Sequence, residues 1–217
     1  MNFTDKQSKT EYAYNEIKRN IINGELKANS NINELRICET LNISRTPARQ
    51  ALLKLINEGF IDFIQNKGMY ISEIRLSDII EIYDIRSVLD PFAIEICLEF
   101  YSPKIVKSLE MAIENQEKAY KEGNYKDYLK YDLEFHKTYI NESRNKKLQQ
   151  FMNTIYDQVE RISNTTIGDS ERAQISISHH RKIFEMFVLR DSQKLNEMVR
   201  EHMQGIKAYY INKLYNT

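Results

Sequence analysis

From Ser77 to its C-terminal end the chain keeps apolar residues at three- and four-residue spacing, and almost nothing there alternates as a strand would. Six glycines and three prolines in 217 residues leave few places to break the pattern. The period predicts an all-α region with helices over about 77–100, 103–121, 124–142, 145–165, 169–189 and 191–214. Their connections are short, so successive helices turn back on one another in an antiparallel bundle. No internal repeat or low-complexity stretch is present.

The first 75 residues read differently. Helices are predicted over Tyr12 to Asn23, ending at Gly24, over Asn33 to Leu41, and over Arg45 to Asn57, stopped by Gly59. Phe60-Ile-Asp-Phe-Ile-Gln and Met69-Tyr-Ile-Ser-Glu-Ile then read as two short strands joined around Asn66-Lys67-Gly68. Three helices followed by a β-hairpin outline a winged helix-turn-helix. The fold class is therefore mostly α: residues 1–75 form the winged helix-turn-helix and residues 76–217 the helical bundle, with Ser77 expected to cap its first helix.

No apolar run approaches the roughly 18 residues of a membrane span, so no membrane partner is expected. The first ten residues lack the apolar core of a secretory signal. Cys38 and Cys97 are far apart and outside any metal-type spacing. A cytoplasmic protein is the expectation. Formal net charge is zero; residues 1–75 carry 11 Lys+Arg against 9 Asp+Glu, a surplus of two. If DNA is bound, its positive partners are placed locally rather than spread over the domain.

The segment Leu41-Asn-Ile-Ser-Arg-Thr-Pro-Ala-Arg-Gln-Ala-Leu-Leu-Lys-Leu shows where. Ser44 can cap a helix whose first turn contains Pro47, where a missing N–H does no harm. Ala48, Ala51, Leu52, Leu55 and Ile56 make one apolar stripe, while Arg45, Thr46, Arg49 and Gln50 fall largely opposite. Arg45 and Arg49, four apart, are surface neighbours. A short helix with a buried back and two arginines near its N-terminal end suits the major groove, where arginine donates two hydrogen bonds to guanine. Periodicity alone equally fits an amphipathic surface helix with two solvated arginines. The preceding helix, the short Asn42-Ile43 turn and the ribbon that follows favour DNA.

Ile22-Asn-Gly-Glu-Leu, the Ser44-Arg-Thr-Pro-Ala-Arg-Gln-Ala-Leu core, Leu55-Ile-Asn-Glu-Gly-Phe-Ile and Asn66-Lys-Gly together resemble the GntR family of bacterial regulators. The resemblance implies that Arg45, Thr46 and Arg49 contact DNA, beside the capping Ser44, and that Lys67 and Gly68 set the wing tip at the minor groove. Arg36 matches no strict motif position and is carried as a phosphate contact. Two departures stand out: Ala28-Asn29 replaces the usual Pro-Gly, and Gln50 replaces a usual glutamate, which bears on base preference.

In the bundle, Asp132 and His136 lie one turn apart on the stripe of Tyr125, Tyr128, Leu129, Phe135, Tyr139 and Ile140. His180 sits between Ile177 and Phe184–Phe187, and His202 among Leu195, Met198, Val199 and Ile206. Burying such groups is costly unless something pairs with them. A divalent metal would resolve the cost, since imidazole and carboxylate are ordinary ligands. Zinc is placed first, with nickel, manganese and iron suiting the same ligand types. Each residue singly also fits a hydrogen-bonded core, with Asp132 paired to a lysine or tyrosine. His179 points about 100° from His180 and is left outside the site.

Asp132-x3-His136, then His180-Arg-x-Ile and a histidine 202 − 180 = 22 residues on, resembles the FCD effector domain of the FadR-like GntR subfamily. Ile82-Tyr-Asp-Ile-Arg-Ser-Val-Leu-Asp-Pro is similar to that domain's opening, with Asp90 where glutamate is usual. The resemblance implies a metal that helps hold a small carboxylate effector, assisted by Arg86; the plain alternative is that Arg86 snorkels to the surface. The expected protein is a homodimeric regulator, a repressor in the first instance, on a palindromic double-stranded DNA operator. The rival reading is a metal-dependent enzyme built on the bundle, with Asp132, His136, His180 and His202 holding a catalytic ion, for which no nearby pair of carboxylates or activated nucleophile is in view.

Overall fold

A computed structural model describes residues 8–215. The chain folds as two compact units that meet between Ile74 and Arg75 in the sequence. The first unit runs α1 (Lys9–Ile22), β1 (Asn31–Ile32), α2 (Glu34–Leu41), α3 (Arg45–Asn57), β2 (Ile61–Ile64) and β3 (Gly68–Ile71). The second is α4 (Leu76–Glu99), α5 (Pro103–Lys121), α6 (Tyr125–Glu142), α7 (Lys146–Asn164), α8 (Ser170–Leu189) and α9 (Ser192–Tyr215).

The first core gathers Ala13, Ile17 and Ile21 of α1 against Ala48, Ala51, Leu52 and Leu55 of α3, closed by Phe60, Ile61 and Ile71. Small alanines on α3 let the two helices approach. Between α2 and α3 the chain turns through Asn42 in the left-handed region (φ 51°), a conformation asparagine tolerates. This turn tucks Ile43 into the core. Gly59, at φ 75°, plays the corresponding part after α3 and starts β2.

Two expectations are corrected here. The sheet has three strands, ordered β1-β3-β2, because Asn31 and Ile32 pair antiparallel with Tyr70 and Met69. Two residues are too few to carry a strand period. At the second unit Arg75, not Ser77, is the N-cap of α4: its backbone N–H donates to Asp78 Oδ2 at 3.0 Å. The helix begins a residue earlier because the acidic side chain reaches back one turn.

In the second unit four helix starts carry side-chain caps: Ser102 accepts from Ile105 N, Asn124 from Asp127 N, Asn145 from Leu148 N, and Asp169 from Glu171 N and Arg172 N. Each such cap contributes about 1 kcal/mol. Helix α4 packs on α9, α6 and α7, while α5 packs on α6 and α8, and α8 on α9. The inner face of α4 reads Ile79, Tyr83, Arg86, Asp90, Ala93, Ile94 and Cys97, a three-four spacing that continues through Pro91. That proline removes one backbone hydrogen bond, and packing on both sides holds the helix through it.

Candidate nucleic-acid interface and candidate metal centre

At the start of α3 the side chains of Ser44, Arg45, Thr46 and Arg49 are all exposed, and Ala48 between them is fully buried. Ser44 occupies the N-cap with extended backbone, yet its hydroxyl makes no capping hydrogen bond, contrary to the expected cap. The first turn of α3 holds no acidic residue. Free N–H groups, the helix dipole and two guanidinium groups thus present one positive end. Gln50 is tied elsewhere: its Oε1 accepts from Thr10 Oγ1 at 2.9 Å, bracing α3 against α1. Lys67 is exposed in the β2–β3 turn, followed by Gly68 at φ 100°, and Arg36 is exposed on α2.

The second unit brings three imidazoles together from three helices. His136 of α6, His180 of α8 and His202 of α9 are all buried, and their Nε2 atoms stand 3.1, 3.2 and 3.3 Å apart. Burial pushes all three below the ordinary histidine pKa, with the arginines and neighbouring histidines adding to the effect at His136 and His202; His180 falls to about 4. They are neutral near pH 7. His179, half-buried, lies edge-on to the His202 ring and outside this group.

Neighbouring groups decide which nitrogen of each ring carries the proton. Tyr139 donates its hydroxyl hydrogen to Asp90 Oδ1, so toward His136 Nδ1, 2.7 Å away, it can only accept. His136 therefore bears its hydrogen on Nδ1. On the other side, the Asp132 carboxylate accepts from Gln116 Nε2 at 2.8 Å. That orientation turns Gln116 Oε1 to His180 Nδ1, also at 2.8 Å, and places the His180 hydrogen there. Both Nε2 lone pairs consequently face each other across 3.1 Å. The single hydrogen His202 can offer satisfies at most one of them well. Two imidazole lone pairs at this separation repel unless an electrophile lies between them.

The donor set fits a metal. Nitrogens bound at about 2.0–2.1 Å to a tetrahedral ion stand about 3.3 Å from one another, and closer in octahedral geometry. The observed spacings span this range. Asp132 does not join the three: its carboxylate is held by Gln116, by Tyr128 at 3.4 Å, and beside Arg172 at 3.6 Å. Its burial is thus already compensated by Gln116, Tyr128 and Arg172.

Arg86 does not snorkel. It is 2% exposed, its Nε donates to Asp90 Oδ2 at 3.3 Å, and a terminal nitrogen donates to Tyr156 at 3.1 Å. Tyr156 in turn donates to Asp90 Oδ1 at 2.5 Å. Asp90, Gln116, Tyr139, Tyr156 and Arg172 were not assigned to a site from sequence. Asp90, Gln116 and Arg172 did carry a signal, being polar residues on inward helical positions. We expect Gln116→Met, close in volume but without an acceptor, to lower zinc affinity about 10–100-fold in a competition titration with a chromophoric chelator, because the His180 orientation loses its partner.

A winged helix-turn-helix joined to a six-helix unit with buried histidines defines a two-domain, DNA-binding transcriptional regulator. Residues 9–71 match the bacterial regulatory proteins of the gntR family, and residues 81–205 match the FCD domain. The chain belongs to the GntR family, in its FCD-bearing branch. It is 29% identical over 192 residues to the uncharacterized HTH-type transcriptional regulator YdhC of Bacillus subtilis, covering 87% of this chain and 85% of that one. The Nta operon transcriptional regulator of Aminobacter aminovorans is 28% identical, with 80% of each chain covered. The Escherichia coli McbR/YncC structure superposes with a TM-score of 0.80 at 19% identity, over 96% of this chain and 99% of that one. Family and relatives are transcriptional regulators, so the enzyme alternative falls. No helix among the described residues is long and apolar enough to cross a membrane.

Proposed function

We propose that this regulator is a homodimeric repressor of a palindromic operator, and that a small carboxylate effector at a metal site in the helical domain modulates its DNA affinity. The observation that carries the sensing half is the opposition of the His136 and His180 Nε2 lone pairs at 3.1 Å, with both ring tautomers set by partners on the far side. His136, His180 and His202 hold the ion, zinc first; Asp132 completes the set by turning from Gln116. A divalent ion there supplies positive charge and an open coordination position to a carboxylate oxygen. Arg86, buried beside the cluster, orients that carboxylate by a charge-assisted hydrogen bond.

On the DNA side, Arg45, Thr46 and Arg49 read base edges in the major groove. Ser44, with the α3 N-terminus, and Arg36 hold phosphates, and Lys67-Gly68 reach the adjacent minor groove. Repression is supported by a relative named the gluconate operon transcriptional repressor, of Bacillus subtilis. Dimerisation is supported by the exposed apolar stripe Ile85, Val88 and Phe92 on α4, at spacings of three and four.

Effector action requires unequal binding to the DNA-competent and DNA-released arrangements. The test uses a duplex selected by the protein from a random library and titrated with zinc-loaded protein. At least one acid from a panel of carboxylates is expected to weaken binding fivefold or more, and chelation of the metal is expected to abolish that response. A panel in which no acid shifts affinity, with metal bound, removes the sensing half of the proposal.

A further inference from the structure

The first unit holds a cavity of about 330 Å³, lined by α1, the turn after it, β1 and α2, and by no described residue of α3. Its floor is apolar: Ile17 and Ile32 are buried, with Leu26, Ile37 and Leu41 half-buried around them. The volume falls at the lower end of the about 300–1,000 Å³ usual for small-molecule sites. One wall is a single face of α2, because Arg36, Ile37, Thr40 and Leu41 recur at the spacing that keeps side chains on one side of a helix. Helix α2 packs loosely over the cavity. None of its residues is buried, whereas α1 buries five and α3 four.

The rim carries unlike charges that do not pair. Glu25, in the turn after α1, and Arg36 both line the cavity, and neither side chain makes an ion pair or a hydrogen bond among the described residues. The Asn20 side-chain amide on the same rim is likewise without a partner there. A free guanidinium by itself attracts an anion, and a free carboxylate a cation. Both on one small rim, above an apolar floor, suit a ligand that bears the two charges close together beside a hydrocarbon group.

We propose that this cavity binds a free α-amino acid with an apolar side chain: its carboxylate on Arg36, its ammonium on Glu25, its side chain against Leu26, Ile37 and Leu41. Charge-assisted hydrogen bonds hold the two polar ends. The ligand's side chain covers apolar surface that α2 leaves open to water. The site belongs to the DNA-binding unit, apart from the histidines of the helical unit. It draws on the same guanidinium that the reading above assigns to a DNA phosphate. Ligand and duplex therefore compete for Arg36, and each weakens binding of the other.

Calorimetric titration of the full chain tests this, comparing leucine with isocaproate and isoamylamine, phenylalanine with hydrocinnamate and phenethylamine, and both with glycine. Each analogue lacks one feature: the ammonium, the carboxylate or the side chain. At least one of the two amino acids is expected to bind tenfold or more tighter than its acid, its amine and glycine. Arg36→Gln and Glu25→Gln, both at exposed positions, are each expected to weaken it fivefold or more, while Arg36→Lys retains most of the affinity and the His180→Ala/His202→Ala variant all of it. No binding of either amino acid, an acid or amine that binds as tightly, or loss in the histidine variant with retention in Arg36→Gln overturns the inference. With the selected duplex, saturating amino acid is expected to lower affinity and to make the slope of log affinity against log salt about 0.9 shallower, the share of one phosphate contact. An amino acid that binds as expected and leaves that slope unchanged upholds the site and removes Arg36 from the phosphate contacts.

Discussion

Replacing Arg45 and Arg49 together by alanine is expected to weaken specific operator binding by about 10²–10⁴-fold, since each arginine paired to a base edge carries about 1–3 kcal/mol of discrimination. Both side chains are exposed while their neighbours Ala48, Ala51 and Leu52 are not. The variant should therefore melt within about 0.5 kcal/mol of the parent. Fluorescence anisotropy with the selected duplex and with a scrambled one separates two effects: base reading lowers only the specific affinity, whereas phosphate contact lowers both and flattens the salt dependence. Metal content should not move, because these arginines and the histidines belong to separate compact units. An unaltered affinity for the selected duplex in folded variant protein would sink the assignment of α3 as the reading helix.

The second large effect is expected in the bundle. Gently purified parent protein should carry close to one equivalent of a divalent metal by elemental analysis, and the His180→Ala/His202→Ala double variant almost none. Two of three converging nitrogens are then gone, and His136 alone cannot hold an ion against water. Stability reports the same event independently. Metal at about a thousand times its dissociation constant stabilises the native state by about 4 kcal/mol, so a chelator should lower the parent's melting temperature and leave the variant's unchanged. A parent chain that takes up no zinc, nickel or manganese would reduce the three histidines, Asp132 and Gln116 to a hydrogen-bonded core. The DNA-binding assignment would be untouched.

Much of the fold is legible in the linear chain because it depends on local period. The apolar stripe of α3, the Asn42 turn before it and the four capped helix starts of the bundle are decided within a few residues of each position. Element bounds consequently differ from expectation by few residues, and the errors fall at ends: Arg75 in place of Ser77, and an α1 that begins at Lys9 rather than Tyr12. Strand β1 escaped because its definition lies in Tyr70 and Met69, far along the chain, and not in its own two residues. The same holds for Ser44, whose position was legible and whose hydroxyl geometry was not.

What the sequence by itself determined is the two-part architecture, the helix α3 with its exposed arginines, and three histidines and an aspartate on inward faces. Only the tertiary structure decided how those inward groups are used. It set His136, His180 and His202 nitrogen to nitrogen and turned Asp132 to Gln116 and Arg172. It also locked Arg86 onto Asp90 and Tyr156 instead of releasing it to solvent. The physical reason is reach. Helical periodicity says which side of a helix is buried, but a hydrogen bond or a ligand set depends on atoms a few ångströms apart that come from separate helices, on residues 16 to 70 positions distant in the chain.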